Sequence, residues 1–130
     1  MKSRIAISTL VVICALVGCT TPTLTTQELG STRETSAGTV FVDSQGMTIY
    51  TYDKDEPGKS NCTGMCAGFW PPVEVADGAS PRGQFTLVDR GNGSKQWAYN
   101  EMPLDGYFFD HKPGDVSGDG ADGVWHVVHP

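Results

Sequence analysis

The chain has 130 residues, with 15 acidic and nine basic side chains and a formal net charge of −6 at pH 7. This length allows one small domain with a modest core and leaves no room for a second domain once an export signal is removed. The acidic balance repels nucleic acid, so no nucleic-acid partner is expected.

The first 18 residues have the pattern of an export signal. Lys2 and Arg4 precede an apolar stretch, 5–17, that is shorter than the roughly 20 residues of a membrane-spanning helix. The stretch ends in Leu16-Val17-Gly18-Cys19, which resembles the lipobox of bacterial lipoproteins. The resemblance implies a signal peptide over 1–18 and a lipid on Cys19 that holds the protein to the membrane of the bacterial cell envelope, the outer membrane in a Gram-negative host. The alternative is an ordinary secretory signal in which Cys19 has no special part.

Residues 19–37 are rich in threonine and serine and contain almost no large apolar side chain. Such a composition cannot support a packed element and predicts a flexible tether. The folded domain is therefore expected from Gly38 to Pro130.

Within that domain glycine and proline recur every few residues, and no window has apolar residues at helical spacing, so few or no helices are expected. Short runs of β-type residues bounded by glycine, proline, asparagine or aspartate predict strands instead. These runs are Thr39–Val42, Thr48–Tyr52, Gln84–Val88, Gln96–Tyr99, Tyr107–Phe109 and Val124–Val128.

The segment 38–73 reappears as 93–128, at a constant offset of 55 residues. Two units are too few for an open solenoid, so the two halves must cover each other. We expect a single all-β domain of two similar units, each a hairpin followed by a long loop and a tryptophan-bearing strand, arranged as a small sandwich or partly closed barrel. The hairpin turns are predicted at 43–46 and at Asn100-Glu101.

Cys62 and Cys66 lie in the first long loop, and their counterparts in the second repeat are Ser117 and Ala121. A cysteine pair in an oxidising compartment indicates a disulfide. The alternative is a redox-active or copper-binding pair, because Met65 lies between them and soft sulfur ligands suit copper(I).

Other residues could bind a metal. Histidine and methionine are ligands of copper and haem, and the aspartates of the second loop begin like a calcium loop, although His126 stands where its closing acid should be. The alternative is that His126 faces solvent and the aspartates form a solvated turn. The candidate metal ligands are Met65, His111, His126, Asp115 and Asp119.

Taken together, the repeated motifs resemble the bacterial secreted-repeat lipoproteins with a Y-x4-D motif, over essentially all of Gly38 to Pro130. Asp105 departs from the family, whose second repeat usually has tyrosine there. The family has no known function, so the resemblance implies an envelope location and a repeated fold but no activity. The motif residues are Tyr50, Tyr52, Asp55, Trp70, Tyr107, Asp110 and Trp125.

No motif supplies a nucleophile with a base, so the protein is not expected to be an enzyme and no catalytic residue is assigned. We expect a non-catalytic binding or structural module of the envelope, without a cofactor, whose partner is an envelope protein or a small ligand. The motif aromatics would form its binding surface if exposed, although large aromatics at repeated positions usually supply a core. The alternative function is a periplasmic or surface protein that handles copper, haem or redox chemistry through Cys62, Cys66 and the methionines and histidines.

Overall fold

A computed structural model of the protein describes Gly18 and residues 28–130. The predicted signal peptide, Cys19 and the first part of the predicted tether lie outside the described residues, apart from Gly18. The elements are β1 Ser31–Thr35, β2 Gly38–Val42, β3 Tyr50–Tyr52, α1 Met65–Phe69, β4 Phe85–Asp89, β5 Lys95–Tyr99, β6 Met102–Pro103 and β7 Trp125–Val127, with a 3₁₀ turn at Ala121–Gly123 before β7. In this part of the chain no helix is long and apolar enough to cross a membrane.

The strands form three small antiparallel sheets, β1–β2, β3–β7 and β4–β5–β6. The all-β class with two repeated units is confirmed, and the sheets do not close into a barrel. The β5–β6 hairpin also agrees with the sequence, and both of its turn residues, Asn100 and Glu101, have the positive φ angles (49° and 68°) that such a two-residue turn requires.

The predicted tether is too long, because its last residues form β1 and the turn into β2. Ser31–Thr35 pairs in register with Gly38–Val42, and its side chains alternate between half-buried and exposed. A strand at a sheet edge with one half-buried face needs no large apolar residue, so a composition rich in threonine and serine does not exclude it. At the offset of 55, the β1–β2 hairpin corresponds to the β4–β5 hairpin, and each repeat therefore begins with this hairpin.

Two strand predictions are wrong, and one hairpin prediction is confirmed only in part. Residues 107–109 form a turn, and Trp70 directly follows α1 instead of lying on a strand. The hairpin predicted between Thr39–Val42 and Thr48–Tyr52 is reduced to one bridge, Val42 with Thr48.

The main partner of β3 is β7, which belongs to the other repeat. Tyr50 pairs with Val127, and the equivalent residues Asp105 and Pro72 form the corresponding bridge on the other side. Tyr50 and Asp105 also pair with each other through two backbone hydrogen bonds, Tyr50 N–H to Asp105 O at 2.8 Å and Asp105 N–H to Tyr50 O at 3.0 Å. The two repeats are thus related by an approximate twofold axis that passes between Tyr50 and Asp105.

The core consists of two clusters, which β2 divides by the alternation of its side chains. Val40 and Val42 belong to the first cluster and Phe41 to the second. The first cluster also contains both motif tryptophans and Cys62, whereas the second contains Ile49, Leu104 and Val128.

Gly118 marks the tightest packing in the first cluster. A Cβ atom at this position would lie 2.7 Å from Cη2 of Trp70 and 3.0 Å from Cδ1 of Tyr107. Because both rings are held by neighbouring rings, we expect Gly118→Ala to lower the free energy of unfolding by about 1–3 kcal/mol in urea denaturation.

The matched control is Gly68→Ala in α1, where nothing lies within 4 Å of the added Cβ. This change should be neutral or should stabilise the domain by about 0.5–1 kcal/mol, because alanine favours a helix. Equal effects of the two substitutions would contradict the packing described at Gly118.

Candidate functional site

Four aromatic rings from the motif form a continuous stack through the first cluster. Tyr52 stacks on Trp125 with 4.3 Å between ring centroids, Trp125 on Trp70 with 3.8 Å, and Trp70 on Tyr107 with 4.1 Å. Along the stack the rings alternate between the repeats, so the first repeat contributes Tyr52 and Trp70 and the second contributes Tyr107 and Trp125. The stack therefore follows the same approximate symmetry as the strands.

The tryptophans of the stack are core residues. Trp70 is 7% exposed and Trp125 3%, and both faces of each indole are covered by neighbouring rings. Tyr50 is fully buried, whereas Tyr52 and Tyr107 are half-buried. A ligand could therefore reach the edges of the indoles but could not stack on their faces.

An open cavity of about 740 Å³ lies over these ring edges. Its walls come from both repeats, so the approximate twofold axis relates one wall to the other. The equivalent pairs in the lining are Tyr52 and Tyr107, Trp70 and Trp125, Cys66 and Ala121, Phe69 and Val124, and Lys54 and Phe109. We call this cavity the aromatic groove.

The apolar rim is a set of exposed side chains along one wall of the aromatic groove, formed by Met65, Phe69, Phe108 and Phe109. In residues 28–130 these are the exposed large hydrophobic side chains, at 81%, 46%, 60% and 48% exposure respectively. Phe69 and Phe109 are stacked at 6.1 Å, Phe108 and Phe109 meet edge to face at 5.2 Å, and Met65 precedes Phe69 by one helical turn. The rim is confined to one wall, because the residues equivalent to these four are Gly120, Val124, Asp53 and Lys54.

Local contacts hold the rim segments in position. The backbone N–H of Phe108 donates to the carbonyl of Phe69 at 2.8 Å, which ties the turn at 107–109 to the end of α1. The α1 helix has only five residues and no side-chain cap. The predicted disulfide between Cys62 and Cys66 is confirmed and joins α1 to a fully buried position in the core.

A second apolar cavity, of about 440 Å³, lies beside Trp97 and is lined by Leu29 and Val73. The ion pair between Glu28 and Arg82, at 2.8 Å, forms part of its edge. None of the rim residues reaches this cavity, so the aromatic groove is the better candidate site.

Behind the aromatic groove, the tyrosine of the motif contacts the aspartate of the other repeat. The Tyr50 hydroxyl donates to Oδ2 of Asp110 at 2.5 Å and accepts a hydrogen bond from the Gly118 N–H at 3.3 Å. The second carboxylate oxygen of Asp110 accepts from the Ser117 N–H at 2.9 Å. Burial, together with the Asp110 carboxylate, raises the pKa of Tyr50 far above its usual range, so the phenol keeps its proton.

The equivalent residues of the other half are Asp105 and Asp55, which are close enough for their charges to repel each other. Oδ1 of Asp55 accepts from the Asn61 N–H at 2.7 Å, and Oδ1 of Asp105 accepts from the Gln96 side-chain amide at 2.8 Å. Burial, followed by repulsion from Asp55, raises the pKa of Asp105 to about 8. The sequence identified Asp105 as a departure from the motif but did not indicate this contact.

The candidate metal ligands are not brought together. Oδ2 of Asp115 accepts from the His111 and Lys112 N–H groups at 2.9 and 3.1 Å, and the first of these bonds lowers the pKa of Asp115. Oδ1 of Asp119 accepts from the Val127 N–H at 3.1 Å. Nε2 of His126 lies 2.8 Å from Oδ2 of Asp53. Over residues 28–130 and Gly18, no group of three or more His, Cys, Asp or Glu side chains is placed to hold a metal ion.

The fold and the groove define a class of protein, a duplicated β unit whose halves share one core. The family model of a secreted repeat of unknown function matches residues 31–74 and, again, residues 86–129. The chain belongs to this family, and the two matches begin at the first residue of β1 and at the second residue of β4, where the structure places the start of each repeat. Comparison with curated proteins and with solved structures gave no match.

We expect Tyr50→Phe to destabilise the domain by about 1–3 kcal/mol, because it leaves a buried oxygen of Asp110 and the Gly118 N–H without their shared partner. The measurement is urea denaturation at pH 7. Tyr99→Phe is the control, since its hydroxyl bonds at the surface to Gln84 at 3.1 Å, and it should cost less than about 0.5 kcal/mol. A loss from Tyr50→Phe no larger than the control would show that the contact between the repeats is unimportant.

Proposed function

We propose that this protein is a lipid-anchored, non-catalytic module of the bacterial cell envelope that binds an apolar segment of another envelope protein at the apolar rim. The observation that carries the proposal is the placement of Met65, Phe69, Phe108 and Phe109 together beside one groove. Exposed apolar patches of this kind mark interaction sites in small soluble domains. The anchor is assigned to Cys19 from the lipobox resemblance, and the family's description as secreted is compatible with it.

The chemistry of the groove supports a binding role over catalysis. The two sulfurs beside the rim are joined in a disulfide, so neither is available as a thiolate nucleophile. The phenol of Tyr50, which lies behind the groove, is buried and keeps its proton. Catalysis by these groups would need a nucleophile with a nearby base, which this arrangement does not supply.

The size of the rim favours a short segment over a second copy of the chain. Four side chains at these exposures present on the order of 400 Å² of apolar area. A stable dimer usually buries about 800 Å² on each partner. The Met65 thioether and the phenylalanine rings can instead enclose one or two apolar side chains of a peptide.

Charge indicates the flanks of the partner segment. Lys2 and Arg4 lie outside the described domain, which carries seven basic and 15 acidic side chains. Such a domain repels anionic lipid headgroups and attracts basic residues. We therefore expect the bound segment to be apolar at its centre and basic at its ends.

The anchor and the rim use different parts of the domain. The first described residues of the domain are held by Arg82, which bonds to the side chain of Glu28 at 2.8 Å and to the carbonyl of Leu29. Gly30 lies against Phe85 of β4, which packs on the second cluster. The rim lies beside Trp70 and Tyr107 at the first cluster, so binding there does not require the chain to release this attachment.

The test uses a synthetic peptide of leucine, tryptophan and leucine flanked by lysines, titrated into the full chain by isothermal calorimetry. Phe108→Ser and Phe69→Ser should each weaken binding at least tenfold, because they remove apolar area from the rim. Leu87→Ser on β4, a partly exposed apolar residue away from the rim, is the matched control and should leave the affinity unchanged. A peptide with glutamates in place of the lysines should bind more weakly.

Three results would contradict the proposal. The first is equal peptide binding by the rim variants and the native chain. The others are a dimer in analytical sedimentation that Phe108→Ser dissociates, and binding to phosphatidylglycerol vesicles through the rim. Mass spectrometry of the same preparation tests the anchor separately. A chain that begins at Cys19 with added diacylglycerol mass is expected, and unmodified Cys19 would refute the anchor without affecting the rim.

A further inference from the structure

The approximate twofold axis exposes a difference between two equivalent buried contacts. Tyr50 and Asp105 occupy matching positions beside the axis, and each faces the motif aspartate of the opposite repeat. In the contact of Tyr50 with Asp110, a hydroxyl donates its proton to a carboxylate. At the equivalent place, Asp105 and Asp55 are two carboxyl groups whose charges interact, and two ionised carboxylates could only accept hydrogen bonds.

Both carboxyl groups are buried and incompletely satisfied. Asp105 is 0% exposed and Asp55 8%. Among the side-chain atoms of the described chain, Oδ2 of Asp55 and Oδ2 of Asp105 are buried without a hydrogen-bond partner. An unpaired carboxylate oxygen in such a place costs free energy that one added proton would remove.

The charges of the surrounding groups balance when the site holds one proton. Arg90 donates to the Gln96 side chain at 2.6 Å and to the Cys62 carbonyl at 3.2 Å, and its charge favours ionisation of both aspartates. Of the other elements packed against Asp105, β5 contributes the uncharged Gln96, and β3 contributes Tyr50, whose phenol is directed at Asp110. Two carboxylates, one guanidinium and one proton together have no net charge.

We propose that Asp105 and Asp55 form a proton-binding site, in which one proton on Oδ2 of Asp105 is donated to Oδ2 of Asp55 and replaces the phenolic proton of the other half. The proton is taken from water on folding and returned to water when the site ionises, and no covalent bond between other atoms changes. The raised pKa values of Asp105 and Asp55, whose first cause is burial, agree with this geometry. The two groups titrate as a pair.

The site controls the loop that carries the disulfide. Asp55 holds this loop through the Asn61 N–H, and Arg90 holds it through the Cys62 carbonyl. When the proton leaves, two negative charges face each other beneath the loop. We therefore expect the loop to lose protection against hydrogen exchange as the site ionises.

The sign of the pH dependence follows from the raised pKa. The pKa of the Asp105 carboxyl has its ordinary value of 3.8 in the unfolded chain and is raised to about 8 in the folded chain. Between these two pH values the native state therefore binds more protons than the unfolded state. The stabilising contribution is complete below about pH 4 and is lost as the pH rises through about 8. Within this window the unfolding equilibrium constant should increase by up to about tenfold for each pH unit.

The experiment compares the full chain in detergent with its Asp105→Asn variant, using urea denaturation at successive pH values from about 4 to 9. The asparagine amide can donate to Asp55 at every pH, so the variant should lack the loss of stability seen in the native chain. Asp77→Asn, on an exposed loop, is the control and should keep that loss. The protection factors of the Asn61 and Cys62 amides, which correct for the intrinsic rise of exchange with pH, should fall with pH in the native chain and stay constant in Asp105→Asn.

Carbon-13 NMR of the carboxyl groups in the unsubstituted chain gives a test that does not depend on a variant folding. A carboxyl signal of Asp105 that titrates near its ordinary range would overturn the proposal. So would an identical pH dependence in Asp105→Asn. Sodium or calcium chloride could restore the stability of the native chain at about pH 8 but not that of Asp105→Asn. This result would identify a metal cation as the ligand and would also overturn the proposal.

Discussion

The aromatic stack of Tyr52, Trp125, Trp70 and Tyr107 is the contact on which the domain depends. Each ring pairs with a ring from the opposite repeat, so neither repeat can complete the stack alone. Aromatic pairs of this kind contribute roughly 0.5–1.5 kcal/mol each beyond the burial of their area. The same arrangement covers both faces of each indole, so the tryptophans serve the core, and the binding we propose uses the apolar rim beside them.

Since the stack and the β3–β7 pairing hold the two repeats together, side chains outside them have diverged. The first repeat alone has the disulfide and α1, which support two rim residues, while the turn at 107–109 in the second repeat supplies the other two. The two equivalent contacts also differ, since one contains Tyr50 and the other Asp105. The core is therefore nearly symmetric, and both proposed sites lie where the two repeats differ.

Local patterns in the sequence were sufficient for the features that depend on near neighbours. The repeat offset, the bond between Cys62 and Cys66 and the β5–β6 turn were all predicted correctly. The pairing of β3 with β7 and the contact of Asp55 with Asp105 could not be predicted, because these residues lie far apart in the chain and local periodicity does not record their approach. The rim was missed because three successive aromatics, 107–109, favour a strand by local propensity, whereas the contact with α1 makes them a turn.

The central claim is that Trp70 and Trp125 stack across the repeats, and far-ultraviolet circular dichroism of the full chain tests it directly. The ring centroids of the two indoles are 3.8 Å apart and the rings are nearly parallel. Their electronic transitions should therefore couple strongly, and the coupling should alter the circular dichroism bands of both rings. We expect a coupled signal that disappears in Trp70→Phe and in Trp125→Phe but persists in Trp97→Phe, whose indole lies outside the stack. A signal that survives in Trp70→Phe, or that depends on Trp97, would contradict the stacking of Trp70 on Trp125.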